Sequence, residues 1–258
     1  MLHPCTLFIN SMHPILRRAA TYGSVKLRKL LRPAWGETEY VAHFGRASLA
    51  RDGEGFRLIR YDLDGSLDFD AYRRVQIAVN KAKLGMTFAV EANIRALRQH
   101  VGDAVGDAGA ILCHGTRNGA EQRYFAGAFP RASVLGTEIS DTATQFPDTI
   151  QWDFHDVKPE WLGAWDIVYS NSWDHTYDPE KMLAAWISCL KPGGALVLEH
   201  SRSHRPEGCC AADPFGATVE GLIRILSAAG RGKLGLAQVV RNLPDPALDR
   251  CFIIARAV

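Results

Sequence analysis

The chain has 258 residues, of which 47% are hydrophobic and 22% charged, with a net charge of +2; this is the balance of an ordinary soluble globular protein. No apolar run approaches the roughly 20 residues that a membrane-spanning helix needs. The start, with Leu7, Phe8 and Ile9, lacks the basic stretch and small-residue cleavage site of a secretory signal, so a cytoplasmic location is expected. Cys5, Cys113, Cys189, Cys209, Cys210 and Cys251 are spread over a chain long enough to build a core, which makes reduced thiols the default.

Residues 1–100 carry 16 Lys and Arg against 9 Asp and Glu, and residues 101–258 carry 14 against 19, so the front is +7 and the back −5. Arg17, Arg18, Lys26, Arg28, Lys29 and Arg32 precede any acidic residue, on a basic helix expected around Ile15 to Leu31 and ended by Pro33. Such a cluster is most often a solvated helical face, but it can also attract anionic lipid, phosphate or nucleic acid. Arg57 to Tyr61 with the Asp64-Gly65 turn predicts a short hairpin. Val75, Ala78 and Val79, then Ile94, Leu97 and Val101, recur at helical intervals and predict one or two helices between Asp70 and His100. The Gly/Asp-rich stretch at 101–109 then marks a boundary between an N-terminal, basic, mainly helical accessory or substrate region (1–100) and a second domain (101–258).

Beyond Gly109, apolar runs alternate with helix-length segments: Ala110-Cys113, Ser133-Gly136, Thr149-Trp152, Asp166-Ser170, Ala195-Glu199 and Cys251-Ala255 read as strands. This alternation predicts an α/β fold, a doubly wound, mostly parallel seven-stranded sheet with helices on both faces, with its ligand in the turns after the strands.

The first such turn runs from His114 through Gly115, Thr116, Arg117 and Asn118 to Gly119. Gly115 allows a tight turn, and Gly119 lets a helix start pack closely, so that backbone N–H groups can face a polar ligand. On its own the loop is ordinary turn chemistry as often as a binding site. Glu138, with Ile139 beside it, ends the second strand 19 positions after Gly119, the spacing at which a carboxylate accepts hydrogen bonds from ribose hydroxyls. Asp153 and Phe154 after the third strand offer an acceptor and an aromatic face for a base; the alternative is a helix-capping Asp beside a core Phe.

From Ala110 to Glu199 the chain resembles the class I S-adenosylmethionine-dependent methyltransferases of the small-molecule type. The likeness extends through Asp166 to His175, the helix opening at Asp178-Pro179, and the stop at Lys191-Pro192-Gly193-Gly194 before the next strand. The resemblance implies S-adenosylmethionine as cofactor. Gly115, Thr116, Arg117 and Gly119 would lie near its methionine part, Glu138 near the ribose, Asp153 and Phe154 near the adenine, and Ser170 and Asn171 beside the sulfonium. The chain departs from the family pattern twice: Cys113 stands where the first strand usually ends in an acid, and Arg117 replaces a loop glycine. The acid that would hold the methionine amino group is therefore missing, while Arg117 could hold the carboxylate.

Methyl transfer from a sulfonium needs alignment above all, and a base only for a poorly acidic acceptor such as a hydroxyl. His175, next to Asp174, is the first candidate base and His200 the second, each with a bland reading as a loop or packing histidine. His200, His204, Cys209 and Cys210 carry zinc-ligand side chains, but their spacing is not that of a familiar site, and no metal is expected. The basic front region points to an anionic or membrane-proximal acceptor, a small molecule, glycan or lipid-linked precursor methylated at oxygen. It also allows peripheral membrane contact. No aromatic and basic stacking platform for nucleic acid stands out. Two competing readings use the same features: an NAD-dependent oxidoreductase, against which the incomplete glycine series stands, and a catalytically decayed methyltransferase-like binding module, motivated by Cys113 and Arg117.

Overall fold

A computed structural model describes residues 47–258 apart from 102–104, 106–108 and 236. The basic cluster Arg17 to Arg32 and the helix expected around it lie outside the described residues.

The elements, in chain order, are β1 (Ala47–Gly53), β2 (Phe56–Leu63), β3 (Ser66–Leu67), α1 (Phe69–Ala82), α2 (Glu91–His100), β4 (Ala110–His114), α3 (Ala120–Ala128), β5 (Ser133–Glu138), β6 (Thr149–Gln151), β7 (Trp165–Ser170), α4 (Pro179–Cys189), β8 (Leu190–His200), β9 (Phe215–Ala217), α5 (Val219–Ala229), β10 (Gln238–Val240) and β11 (Cys251–Arg256). Seven strands form one sheet in the order β10-β11-β8-β7-β4-β5-β6. The pairs β7–β8, β4–β7, β4–β5 and β5–β6 are parallel, and β11 pairs antiparallel with both β8 and β10. The mostly parallel seven-stranded sheet expected from the strand alternation is therefore present.

The continuous apolar runs follow from burial on both faces. Leu112, Val168, Leu196 and Ile253 pack with Met182, Leu183 and Trp186 of α4 and Leu222 and Leu226 of α5. Their chain neighbours Ile111, Ile167, Val197 and Phe252 pack on the other face with Ile94 and Leu97 of α2 and Phe125 of α3. Local chemistry sets the helix starts. Asp68, Asp178 and Thr218 accept hydrogen bonds from the backbone N–H three residues on, and Pro179 opens α4. The hairpin expected near Arg57 is β2–β3, and Asp64 and Gly65 take φ of 51° and 82° at its turn.

Two features were not expected. Strand β2 also pairs with β1 and, across the chain, with β9, Phe56 lying opposite Ala217 and Leu58 opposite Phe215. Behind this small sheet, Tyr61, Tyr72, Val75 and Val79 share a core with Cys210 to Ala212. The large sheet reverses its winding between β4 and β7, and a crevice opens at such a switch point beyond the carboxyl ends of the strands.

Candidate functional site

Two adjoining cavities lie at that crevice. The first, with about 470 Å³ of empty space at its open mouth and interior, is bordered by Gly115, Arg117, Glu138, Ile139, Asp153, Phe154, Ser172 and His175, and by Tyr72, Gln76, Val79 and Asn80 of α1. The second, about 680 Å³ measured likewise, shares Gly115, Arg117, Ser172 and His175 and extends to Glu121, Asn171, Asp174, Glu199, His204 and Asp213.

Gly115 adopts φ +73°, and a Cβ there would stand 2.6 Å from the Cβ of Ser172, so only glycine fits between the ends of β4 and β7. Its neighbour Arg117 also takes a positive φ, 31°. The Arg117 guanidinium lies 4.9 Å from the ring centre of Phe88 and donates to the Met86 carbonyl, while its Nε is buried without a hydrogen-bond partner. Asn118 donates to the carbonyls of Leu84 and Met86, tying the loop to the segment after α1.

Glu138 is buried at the end of β5, and its two oxygens accept the N–H groups of Ser140 and Arg117 at 3.0 and 3.2 Å. Burial raises its pKa, opposed by those hydrogen bonds and the Arg117 charge. Asp153 Oδ1 accepts from the N–H of His155 at 3.0 Å and lies 2.6 Å from its Nδ1, while Oδ2 is buried without a partner at the first cavity. Burial works against ionisation of Asp153, but the hydrogen bonds and charge of His155 hold its pKa below the ordinary value. His155 is itself fixed by Thr176 Oγ1 at 2.6 Å and by stacking on Tyr177 at 3.8 Å.

His175 sits in a single helical turn, Trp173–His175, after β7. Its Nδ1 lies 2.8 Å from Gln76 Oε1 and 3.1 Å from the Ala212 carbonyl; both are acceptors, so Nδ1 carries the proton and Nε2 the lone pair in the neutral ring. Nε2 lies 3.7 Å from Asp213 Oδ1 and 4.0 Å from Asp174 Oδ1. Burial lowers the His175 pKa, and the two carboxylates act in the opposite direction. Among the described residues, Asp174, His175 and Asp213 are the group whose metal-capable atoms converge, within 4.8 Å of one another. Cys209 instead donates its Sγ–H to the Pro214 carbonyl.

Of the residues singled out in the sequence, Gly115, Arg117, Glu138, Ile139, Asp153, Phe154, Asn171, Asp174 and His175 border one or both cavities. Asn118 and His204 border the second cavity as well, whereas Thr116, Gly119, Ser170 and His200 border neither, and each of these is occupied elsewhere. Thr116 is fully buried with its hydroxyl bound to Gln122, and Gly119 caps α3 in a left-handed conformation away from both cavities. Ser170 is buried and donates to the His114 carbonyl while accepting from Ser172 N. His200 is a correction to the candidate bases: it is buried against Trp173, its Nε2 binds the Ala217 carbonyl, and burial lowers its pKa to about 4. Tyr72, Gln76, Glu121 and Asp213 were missed: only the fold brings Tyr72, Gln76 and Asp213 to the strand ends, and Glu121, although next to the glycine loop, reads locally as an ordinary first-turn helix acid.

No protein-family model and no curated protein matches the chain. Among solved structures it is similar to the 1,6-didemethyltoxoflavin-N1-methyltransferase of Burkholderia thailandensis, with a TM-score of 0.54 and 15% identity over 82% of this chain and 100% of that one. It is also similar to the N-methyltransferase NodS of Bradyrhizobium japonicum WM9, with a TM-score of 0.51 and 14% identity over 70% and 97% of the two chains. The plantazolicin methyltransferase BpumL gives a TM-score of 0.50 and 10% identity over 64% and 82%. With the strand order and the crevice at its switch point, these likenesses give the chain the Rossmann-like fold of the class I S-adenosylmethionine-dependent methyltransferases.

Proposed function

We propose that the chain is an S-adenosylmethionine-dependent methyltransferase acting on a small-molecule acceptor at a hydroxyl oxygen. The observation that carries this reading is the pairing of Glu138 and Asp153 on one cavity at the sheet's switch point, with Gly115 packed too tightly there for any side chain. Glu138 is suited to the ribose hydroxyls, and the unpartnered Asp153 Oδ2 to the adenine amino group beside the Phe154 ring. The structures of NodS and the plantazolicin methyltransferase were determined with S-adenosylhomocysteine, which supports the same cofactor here.

The acceptor reading rests on His175. Its neutral Nε2 borders the second cavity, and a proton taken there would sit between Asp174 and Asp213, whose charges favour the imidazolium. The region before residue 101 serves in this proposal as the substrate-side part, because Lys83, Met86 and Phe88, in the segment after α1, border the second cavity. Calorimetry tests the cofactor assignment. Saturable binding of S-adenosylhomocysteine with none of NAD(H), and a loss of about tenfold or more in Glu138→Ala, are expected for a buried charged hydrogen-bonding group. Binding of NAD(H) instead, or an unchanged affinity in the variant, would overturn it.

A further inference from the structure

Glu121 is the second residue of α3, two positions past Gly119, and is 6% exposed. A carboxylate so deeply placed ordinarily has its oxygens satisfied. Here Oε2 is buried with no hydrogen-bond partner, at the wall of the second cavity. Arg117 borders the same cavity and has its own unpartnered Nε. A carboxylate oxygen and a guanidinium Nε left without partners on the lining of one cavity are complementary to a zwitterion, with an ammonium for Glu121 and a carboxylate for Arg117. The two cavities join at Gly115, Arg117, Ser172 and His175. A ligand with its nucleoside against Glu138 and Asp153 therefore extends its remaining part past Gly115 toward this pair.

Building on the cofactor reading above, we infer that Glu121 binds the α-ammonium of the cofactor's amino-acid tail, standing in for the strand-end acid whose place Cys113 takes. Cys113 cannot fill that role, since it is fully buried in the core and burial raises its thiol pKa well above the ordinary value. The inference carries a second consequence, because burial also raises the Glu121 pKa, to about 7. The charged and titratable groups facing it are Arg117 of the loop, Glu138 of β5, Glu199 of β8, Cys113 of β4 and Tyr169 of β7. Below pH 7 the free protein holds Glu121 as the neutral acid. An incoming ammonium favours the carboxylate, so the proton leaves Glu121 for solvent as the tail binds, and affinity rises with pH until the free acid is already ionised.

The test compares S-adenosylhomocysteine with 5′-methylthioadenosine, which lacks the amino-acid tail, on the wild-type chain and on Glu121→Gln. In the wild type, S-adenosylhomocysteine is expected to bind about tenfold more tightly at pH 8 than at pH 6. At pH 7 it should release about half a proton, read from the dependence of the binding heat on buffer ionisation. Glu121→Gln should weaken S-adenosylhomocysteine about tenfold to a hundredfold and abolish the pH dependence and proton release that 5′-methylthioadenosine does not share. It should leave 5′-methylthioadenosine affinity unchanged, which also certifies that the variant is folded. Equal loss for both ligands, no loss for either, or a pH dependence in the variant that S-adenosylhomocysteine shows and 5′-methylthioadenosine does not would each overturn the role of Glu121 while leaving the cofactor reading intact. A wild-type chain that binds neither nucleoside would remove that reading and this inference together.

Discussion

At the scale of single residues, the site depends on which atoms are already engaged. His175 offers one nitrogen to the cavity because Gln76 and the Ala212 carbonyl claim the other. His175→Ala is expected to lower turnover of a hydroxyl acceptor by about a hundredfold to ten-thousandfold, with little change in S-adenosylhomocysteine affinity; parallel turnover and calorimetric measurements check it. In the proposed role as base, Nε2 acts unprotonated, so turnover is expected to rise with pH along a limb that burial places below the usual histidine value of about 6.5. Asp213→Asn removes a charge that favours the imidazolium and should move that limb further to the acid side in a pH-rate profile.

At the scale of elements, the glycine loop is held in place by strand β5 as much as by its own turn. Thr137 O accepts the N–H groups of both Gly115 and Thr116, and Gln122 of α3 donates to Thr116 Oγ1 and Thr149 Oγ1. Gln122 passes directly over Gly136, where a Cβ would fall 1.7 Å from its Nε2. Gly136→Ala is therefore expected to displace Gln122 and break its hydrogen bonds, destabilising the fold by about 1–3 kcal/mol, with a lower midpoint in urea and weaker cofactor binding.

The elements differ in how far the sequence discloses them. The central strands are legible because burial on both faces makes them continuous apolar runs, as at Ile111 to Cys113 and Leu196 to Leu198. Strand β1 is exposed along almost its whole length and so leaves no apolar period, and β9 and β10 have only three residues each. In the site, Glu138 and Asp153 follow strands and glycine turns at readable spacings. Gln76 and Asp213 reach the cavities only through packing between distant segments, which spacing along the chain cannot encode, and Glu121, close to the loop in sequence, carries no local sign that its side chain turns inward. His200 misleads because it ends a strand at the correct edge but points into the core rather than the crevice.

At the scale of the whole molecule, buried titratable groups pull stability in opposite directions with pH. Burial lowers the pKa of His114 to about 3 and of His200 to about 4, and also lowers those of His155 and His175. The unfolded chain takes up protons at about pH 6.5 that these native rings refuse, so stability is lost as pH falls through that region. Glu121, at about 7, Glu199, at about 6, and Glu138 are raised instead. The native state keeps protons that the unfolded chain has released, so these groups favour folding as pH falls toward about 4.5. Below that value the glutamates differ little between the two states, while the histidines, Asp153 and Asp166 still oppose protonation of the native form. A gentle decline in Tm from pH 6.5 to 4.5 and a steep one below it are expected in calorimetric scans; a Tm that climbed below pH 4.5 would contradict this assignment of buried charge.

The pairing of β2 with β9 joins segments whose partners, Phe56 and Ala217, are separated by most of the described chain. Closing so long a loop costs more entropy than pairing β4 with β5 or β7 with β8. The large sheet can therefore assemble from nearer neighbours before the small sheet zips across it, and the wall carrying Tyr72 and Gln76 arrives late in folding. A newly made chain thus has the strand ends that carry Glu138 and Asp153 in place first, and the first cavity, which Tyr72 and Gln76 also border, closes only afterwards.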